Sequence, residues 1–128
     1  MRLTSKLTND ARFEADLHGF NVVMDGNGQE GPSPPEVVVA ALAACVGIYA
    51  VNFCVKHGIA TDGLAVHADW EKAALPARIG KIEIAIDLPA GVPAAHYEAF
   101  MKTVEACLIH NSFTHPPEIS MRLHERVG

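Results

Sequence analysis

The spacing of apolar and polar residues changes along the chain and predicts an α+β fold. Over residues 1–25, apolar side chains stand among polar ones, and Asn9-Asp10 and His18-Gly19 are turn signals, which is typical of short antiparallel strands. From Val37 to Ala50 the chain is apolar on nearly all sides of a helix, so we expect a long helix that is buried on most sides.

Sequence signals also set the ends of this long helix. Residues 25–35 are rich in Gly and Pro and predict a loop. Ser33 is a suitable N-cap, Pro34 suits the first helical position, and Glu36 stands three residues after Ser33 as the partner in a capping box. We expect the helix to run to about His57 and to stop at Gly58.

The second half of the chain alternates again between strand and helix patterns. Leu64–Trp70 and Lys81–Leu88 alternate apolar and polar residues and predict a β-hairpin, with residues 73–80 linking its strands. A second helix is expected from about Ala94 to Ile109, because Tyr97, Phe100, Val104 and Cys107 would share one face. Glu118–His124 predicts a final strand, and residues 1–128 together predict one domain.

Composition narrows the classes of protein. Hydrophobic residues make up 49% of the chain and charged residues 20%, below the usual share of about 25%, which indicates a buried interface between subunits. The net charge of −5 argues against nucleic-acid binding. The longest apolar run, Val37–Phe53, is shorter than the ~20 residues of a membrane span, and no signal peptide is evident. With three cysteines, the sequence favours a cytoplasmic protein over a disulfide-stabilised one.

Cys45 and Cys107 are the candidate reactive residues. Both can be ordinary buried core residues, which is the common role of cysteine. Alternatively, the two cysteines can work as a pair. The thiolate of one attacks an oxidant and becomes a sulfenic acid, which condenses with the other thiol to a disulfide. Cys54 lies nine residues after Cys45, which at ~100° per residue places it on the opposite side of the helix, so we assign it to packing.

A metal site is an alternative use of the same segment. Cys107 and His110 have the spacing of a ligand pair, and His115 and Cys45 could complete a set of four. The second closely spaced ligand pair that zinc sites usually show is missing, so we predict no metal and no cofactor.

Three segments carry a resemblance to a known family. Ser33–Glu36, Ala40–Cys45 and Cys107–Phe113 are similar to the motifs of the family of osmotically inducible protein C and organic hydroperoxide resistance protein (OsmC/Ohr). The order of elements also resembles that family over essentially the whole chain. The resemblance implies an intertwined homodimer with active sites at the interface, and reduction of organic hydroperoxides by thiols that a dithiol or lipoyl group recycles.

The resemblance also implies roles for particular residues. Cys45 corresponds to the peroxidatic thiol and Cys107 to the resolving one. Peroxidase branches add an Arg from the N-terminal hairpin and a Glu ten residues before the first Cys. Asn9 and Pro35 stand at those two positions here, so Arg12 and Glu36 are nominated by proximity. The chain is more similar to the OsmC-like branch, which has a Ser-Pro-x-Glu motif.

The predicted function is thiol-dependent hydroperoxide reduction. A dimeric module that senses oxidants, or binds a small apolar molecule without turnover, is a second hypothesis. A metal-binding or purely structural protein is the third. Expected partners are a second copy of the chain, the hydroperoxide and a dithiol reductant; no nucleic-acid or membrane partner is expected.

Overall fold

The computed structural model describes residues 1–125 and begins with a three-stranded antiparallel sheet. Its strands are β1 (Thr4–Asn9), β2 (Arg12–Leu17) and β3 (Phe20–Asp25), in the order β1-β2-β3. The two turns lie where the sequence predicts them. Asp10 and His18 have φ of 40° and 54°, a left-handed conformation that Asp and His adopt more readily than most residues.

The long helix α1 (Pro34–Lys56) has the predicted bounds. At its start, the Ser33 backbone N–H donates to Glu36 Oε1 at 3.0 Å, and Ser33 Oγ donates to the same oxygen at 2.7 Å. At its end, His57 is the C-cap and Gly58 has φ of 64°, which glycine adopts without strain.

Only one side of α1 is buried within the single chain. The buried positions are Val39, Leu42, Val46, Ala50, Phe53 and Cys54. Val38, Ile48, Val51 and Val55 are exposed, which differs from the expected burial on most sides. Among residues 1–125, α1 alone is long and apolar enough to cross a membrane, contrary to the expectation from its apolar run. The core helix of a globular protein passes the same test.

The predicted hairpin forms and is longer than expected. Strands β4 (Ala65–Ala74) and β5 (Ala77–Asp87) are antiparallel, and only Leu75 and Pro76 connect them. The expected linker over residues 73–80 is therefore wrong, because the ladder continues through the Ala73–Arg78 and Ala74–Ala77 pairs. Apolar side chains of the hairpin, including Val66 and Ile84, pack against the core under α1.

The region predicted as one second helix consists of three pieces. A 3₁₀ turn (Ala94–His96) leads into α2 (Tyr97–Glu105), and α3 (Leu108–Thr114) follows after a break. The break lies at Cys107, whose φ of −55° and ψ of 136° are not helical. Phe100, Val104 and Cys107 point into the core, so the predicted apolar face is confirmed there.

The predicted final strand does not form in the single chain. Glu118–His124 has no regular secondary structure, and its alternating apolar residues are largely exposed: Ile119 by 74%, Met121 by 93% and Leu123 by 99%. A strand needs a neighbour for its backbone hydrogen bonds, and none of the described strands lies beside this segment. The α+β class with antiparallel strands is confirmed.

Candidate functional site

The site is built around two cysteines from different helices. Cys45 is half-buried in the middle of α1 and packs against the core cluster. Cys107 is the N-cap residue of α3 and is fully buried. Its side chain points into the core, and the Cys45 thiol is among the neighbours that raise its pKa. The structure therefore places the two candidate cysteines in the same part of the core.

The surroundings of Cys107 favour its protonated form. Burial raises the pKa of the Cys107 thiol, and the neighbouring Cys45 thiol raises it further. The His110 backbone N–H donates to Cys107 Sγ at 3.5 Å and lowers this pKa by a smaller amount. Cys107 therefore holds its proton more firmly than an ordinary cysteine thiol.

Cys54 lies apart from this pair. It is fully buried near the C-terminal end of α1, and burial raises the pKa of its thiol. Within residues 1–125, no hydrogen bond joins Cys54 to another cysteine. This placement agrees with the packing role that the sequence predicts.

An apolar cavity of about 640 Å³ lies between α1, β5, α2 and α3, and its wall contains neither Cys45 nor Cys107. Its wall includes Leu42 and Val46, which flank Cys45 on α1, and Val104 and His110, which flank Cys107. Further apolar side chains come from β5, α2 and α3, among them Ile82, Ile84, Ile86, Tyr97, Phe100, Met101 and Phe113. The cavity can therefore accept an apolar molecule, and residues three positions from Cys107 in both directions help to line it.

His110 is the one imidazole in the wall of this cavity among the described residues. Its Nδ1 lies 2.6 Å from the Glu105 carbonyl oxygen, so Nδ1 carries the proton and donates. This contact fixes the ring and leaves Nε2 free. The sequence identifies His110 only as a potential metal ligand, whereas the structure gives it an orienting contact beside a cavity.

Arg12 lies on β2 among carboxylates. Its Nη1 donates to Glu30 Oε2 at 3.2 Å, and its Nη2 is 3.7 Å from Glu14 Oε2. In the part of the chain that the structure describes, no hydrogen bond joins Arg12 to Cys45 or to Glu36. The structure therefore does not bring the nominated arginine to the thiols within one chain.

The loop that holds Glu30 is organised by Asp25. The buried Asp25 carboxylate accepts backbone N–H groups from Glu30 at 2.9 Å, Asn27 at 2.8 Å and Gln29 at 3.3 Å. These hydrogen bonds, that of Glu30 first, lower the pKa of Asp25. The fixed loop in turn positions Glu30 against Arg12.

Glu36 is occupied by its own helix cap. Its hydrogen bonds with the Ser33 side chain and backbone lower its pKa, and the charge of Lys72 adds a smaller effect. Glu36 also lines a more open groove of about 690 Å³ along another face of α1, together with small residues such as Ala43 and Gly47 and with Trp70. Its predicted role in orienting the arginine has no contact to support it inside one chain.

The described residues contain no cluster of three or more His, Cys, Asp and Glu side chains that could hold a metal ion. The combination of Cys107, His110, His115 and Cys45 is therefore not assembled over residues 1–125. The residues that sequence reasoning missed are the apolar ones on β5 that line the cavity. Their alternation signals a half-buried strand but not what the buried side faces.

Comparison with known proteins assigns the chain to a family. A family model described as OsmC-like protein matches residues 26–122. The match covers most of the chain, and this protein therefore belongs to the OsmC-like family. No curated protein sequence matches it significantly.

Solved structures share its fold. An OsmC-like protein from Mycoplasma pneumoniae aligns with a TM-score of 0.79 at 18% identity, over 90% of this chain and 87% of the other. The organic hydroperoxide resistance protein OsmC from Legionella pneumophila gives 0.61 at 17% identity, over 88% and 89%. The organic hydroperoxide resistance protein OhrB of Bacillus subtilis gives 0.54 at 18% identity, over 90% of each chain. The resemblance that the sequence motifs indicate is confirmed at the level of fold and family.

Proposed function

We propose that this protein reduces organic hydroperoxides with the thiols of Cys45 and Cys107. The observation that carries the proposal is that Cys45 lies near enough to Cys107 to raise its pKa, although the two cysteines are 62 residues apart in sequence. The names of the solved relatives, which include organic hydroperoxide resistance proteins, support the same class of reaction.

The reaction uses the two thiols in sequence. The Cys45 thiolate attacks the terminal oxygen of the hydroperoxide, the O–O bond breaks, and the products are a Cys45 sulfenic acid and an alkoxide, which takes a proton and leaves as the alcohol. The Cys107 thiol then attacks the sulfenic sulfur, a disulfide forms, and water leaves. A dithiol reductant reduces this disulfide and is itself oxidised to a disulfide, which returns both cysteines to thiols.

The surroundings suit these steps. Cys107 remains protonated while Cys45 reacts first, because burial and the neighbouring thiol raise its pKa. The adjacent cavity of about 640 Å³ offers an apolar wall for the organic part of the substrate. A bulky, apolar hydroperoxide is therefore the preferred substrate over hydrogen peroxide.

The active form in this proposal is a homodimer. Exposed apolar residues on α1, such as Ile48 and Val55, and the alternating apolar residues of Glu118–His124 are unpartnered within the chain. A second copy would cover the helix face and supply the neighbouring strand that the C-terminal segment lacks. The same contact could bring the partner's N-terminal sheet, and with it an arginine, towards Cys45.

Turnover of cumene hydroperoxide with dihydrolipoamide tests the proposal. Wild type and Cys54→Ser should both consume the peroxide, whereas Cys45→Ser should be inactive. The Cys107→Ser variant should react once and then stop, because the sulfenic acid that forms on Cys45 has no resolving thiol. Consumption that survives in Cys45→Ser would overturn the proposal.

A second function is favoured by one observation. Arg12 binds Glu30 and Glu14, and no cation contacts Cys45 within residues 1–125. Catalytic cysteines usually have a cation beside the thiol, so an arrangement without one suits a redox sensor or a binding module that reacts once and does not turn over. Oxidation of Cys45 by peroxide without catalytic consumption of the dithiol would support this alternative.

A further inference from the structure

Two histidines meet where the C-terminal end of α1 packs near the start of α2. His57 is the C-cap of α1, and His96 is the last residue of the 3₁₀ turn before α2. Their ring centroids are 5.1 Å apart, and the rings are tilted by 58°. His57 lies twelve residues after Cys45, or roughly 18 Å along the helix, so this pair is separate from the thiol site.

The His57 ring is held in a defined orientation. Its Nδ1 lies 2.9 Å from the Phe53 carbonyl oxygen, so this nitrogen carries the proton and donates. The ring also stacks on the Phe53 ring, with centroids 4.1 Å apart and an angle of 23°. Nε2 is therefore the unprotonated nitrogen of the neutral ring. Histidines that bind metals usually show this arrangement, in which the other nitrogen donates to a carbonyl.

One ring nitrogen of His96, Nδ1, is a buried polar atom without a hydrogen-bond partner among the described residues. Leaving a buried polar atom unpaired is unfavourable, and such atoms in folded proteins call for an explanation. A bound cation would satisfy an unprotonated Nδ1.

We propose that His57 and His96 form a two-histidine site for a divalent transition-metal ion of the Zn²⁺ type. Two imidazoles that bind one tetrahedral zinc ion with N–Zn distances of about 2.0–2.1 Å have ring centroids about 5 Å apart, which matches the observed spacing. Imidazole nitrogen is a preferred ligand of Zn²⁺, Ni²⁺ and Cu²⁺. Since no third protein ligand is clustered there among residues 1–125, water completes the coordination and the ion exchanges readily.

NMR of the imidazole groups during Zn²⁺ titration of the full-length, reduced protein tests this site. This readout identifies the histidines that bind, so zinc taken up by Cys45 and Cys107 does not obscure the result. The His57 and His96 signals should shift together and saturate at one ion per chain. Binding should weaken as the pH falls, because protons compete for the imidazole nitrogens.

Matched variants complete the experiment. His57→Gln and His96→Gln should each weaken Zn²⁺ binding at this site at least ~10-fold, whereas the exposed His67→Gln should leave it unchanged. If His96→Gln does not fold, His57→Gln alone decides, because His57 is exposed and its loss is tolerated more easily. Shifts confined to other histidines, or unchanged binding in His57→Gln, would overturn the proposal.

Discussion

The thiol of Cys107 lies beside the thiol of Cys45, and burial together with this neighbour raises the pKa of Cys107. The two cysteines are therefore unequal. In the proposed reaction, Cys107 keeps its proton while Cys45 reacts with the hydroperoxide, and Cys107 then closes the disulfide. The break between α2 and α3 makes Cys107 the N-cap of α3, so that the His110 backbone N–H donates to its sulfur.

Mild oxidation with one equivalent of an organic hydroperoxide should yield a Cys45–Cys107 disulfide, because these thiols are neighbours and Cys54 is buried elsewhere. Peptide mapping by mass spectrometry detects the linked peptides. Cys54→Ala should form the same link to the same extent. A Cys45–Cys54 link, or three cysteines that stay reduced, would contradict the assignment.

Removal of Arg12 tests whether a cation activates Cys45. If the arginine of one chain reaches the thiols of the other, Arg12→Ala should lower kcat/KM for the hydroperoxide at least ~10-fold, since one pKa unit of thiolate stabilisation is about 1.4 kcal/mol. The exposed Arg2→Ala is the matched control. A silent Arg12→Ala would leave Arg12 with its contacts to Glu30 and Glu14 as its only role and would favour the sensor hypothesis.

Variants at the N-terminal cap of α1 distinguish the capping role of Glu36 from its predicted role in catalysis. Ser33→Ala should lower the free energy of unfolding by about 1 kcal/mol, measured by urea denaturation, because the helix loses its N-cap. Glu36→Gln keeps an acceptor oxygen for Ser33 and should retain the stability of the wild type. A loss of turnover in Glu36→Gln would then report on the carboxylate charge alone, whereas unchanged stability in Ser33→Ala would refute the capping contribution.

The homodimer is a separate prediction. Light scattering at micromolar concentration should give twice the chain mass of 13.7 kDa. The interface between the two chains should bury more than ~2,000 Å². Ile48→Asp should dissociate the dimer, because it places a charge on the exposed apolar face of α1. Leu75→Asp, in the exposed turn of the hairpin, should leave the mass unchanged. A monomer in the wild type would disprove the prediction.

The pair formed by His67 and Asp87 gives a pH-dependent signal. His67 Nε2 lies 2.8 Å from Asp87 Oδ2, and this hydrogen bond, with the charge of Asp87, raises the pKa of His67 above 6.5. The stabilisation is fully present below the unfolded pKa and is lost as the pH rises through the higher folded value. Asp87→Asn should lower the NMR titration midpoint of His67, whereas Asp69→Asn should change it less. An unchanged midpoint in Asp87→Asn would refute the pairing.

Local signals in the sequence were enough to place most of the fold. The capping box at Ser33 and Glu36 and the glycine at position 58 set both ends of α1 correctly, because these contacts involve residues only a few positions apart. The turns at Asp10 and His18 follow from the same local chemistry. The family motifs at Cys45 and Cys107 also predict that these two thiols act as a pair.

Other features were beyond local signals because they depend on distant contacts. The hairpin extends through Ala73 and Ala77 because β4 and β5 pair with each other there. The small side chains of these residues show no alternation of apolar and polar positions, so the sequence does not reveal this part of the strands. Glu118–His124 has the alternating pattern of a strand, but no described strand lies beside it, so it forms no strand within one chain.

Spacing and side-chain chemistry along the chain specify the order of most elements and the cap of α1, and they nominate the two candidate cysteines, since these signals act over short distances. Tertiary packing places Cys107, the N-cap of α3, near Cys45, joins Arg12 to Glu30, and brings His57 to His96. The physical reason is that each of these contacts joins residues from different elements. Their distances follow from how the helices and sheets pack together, and the spacing of residues along the chain does not specify that packing.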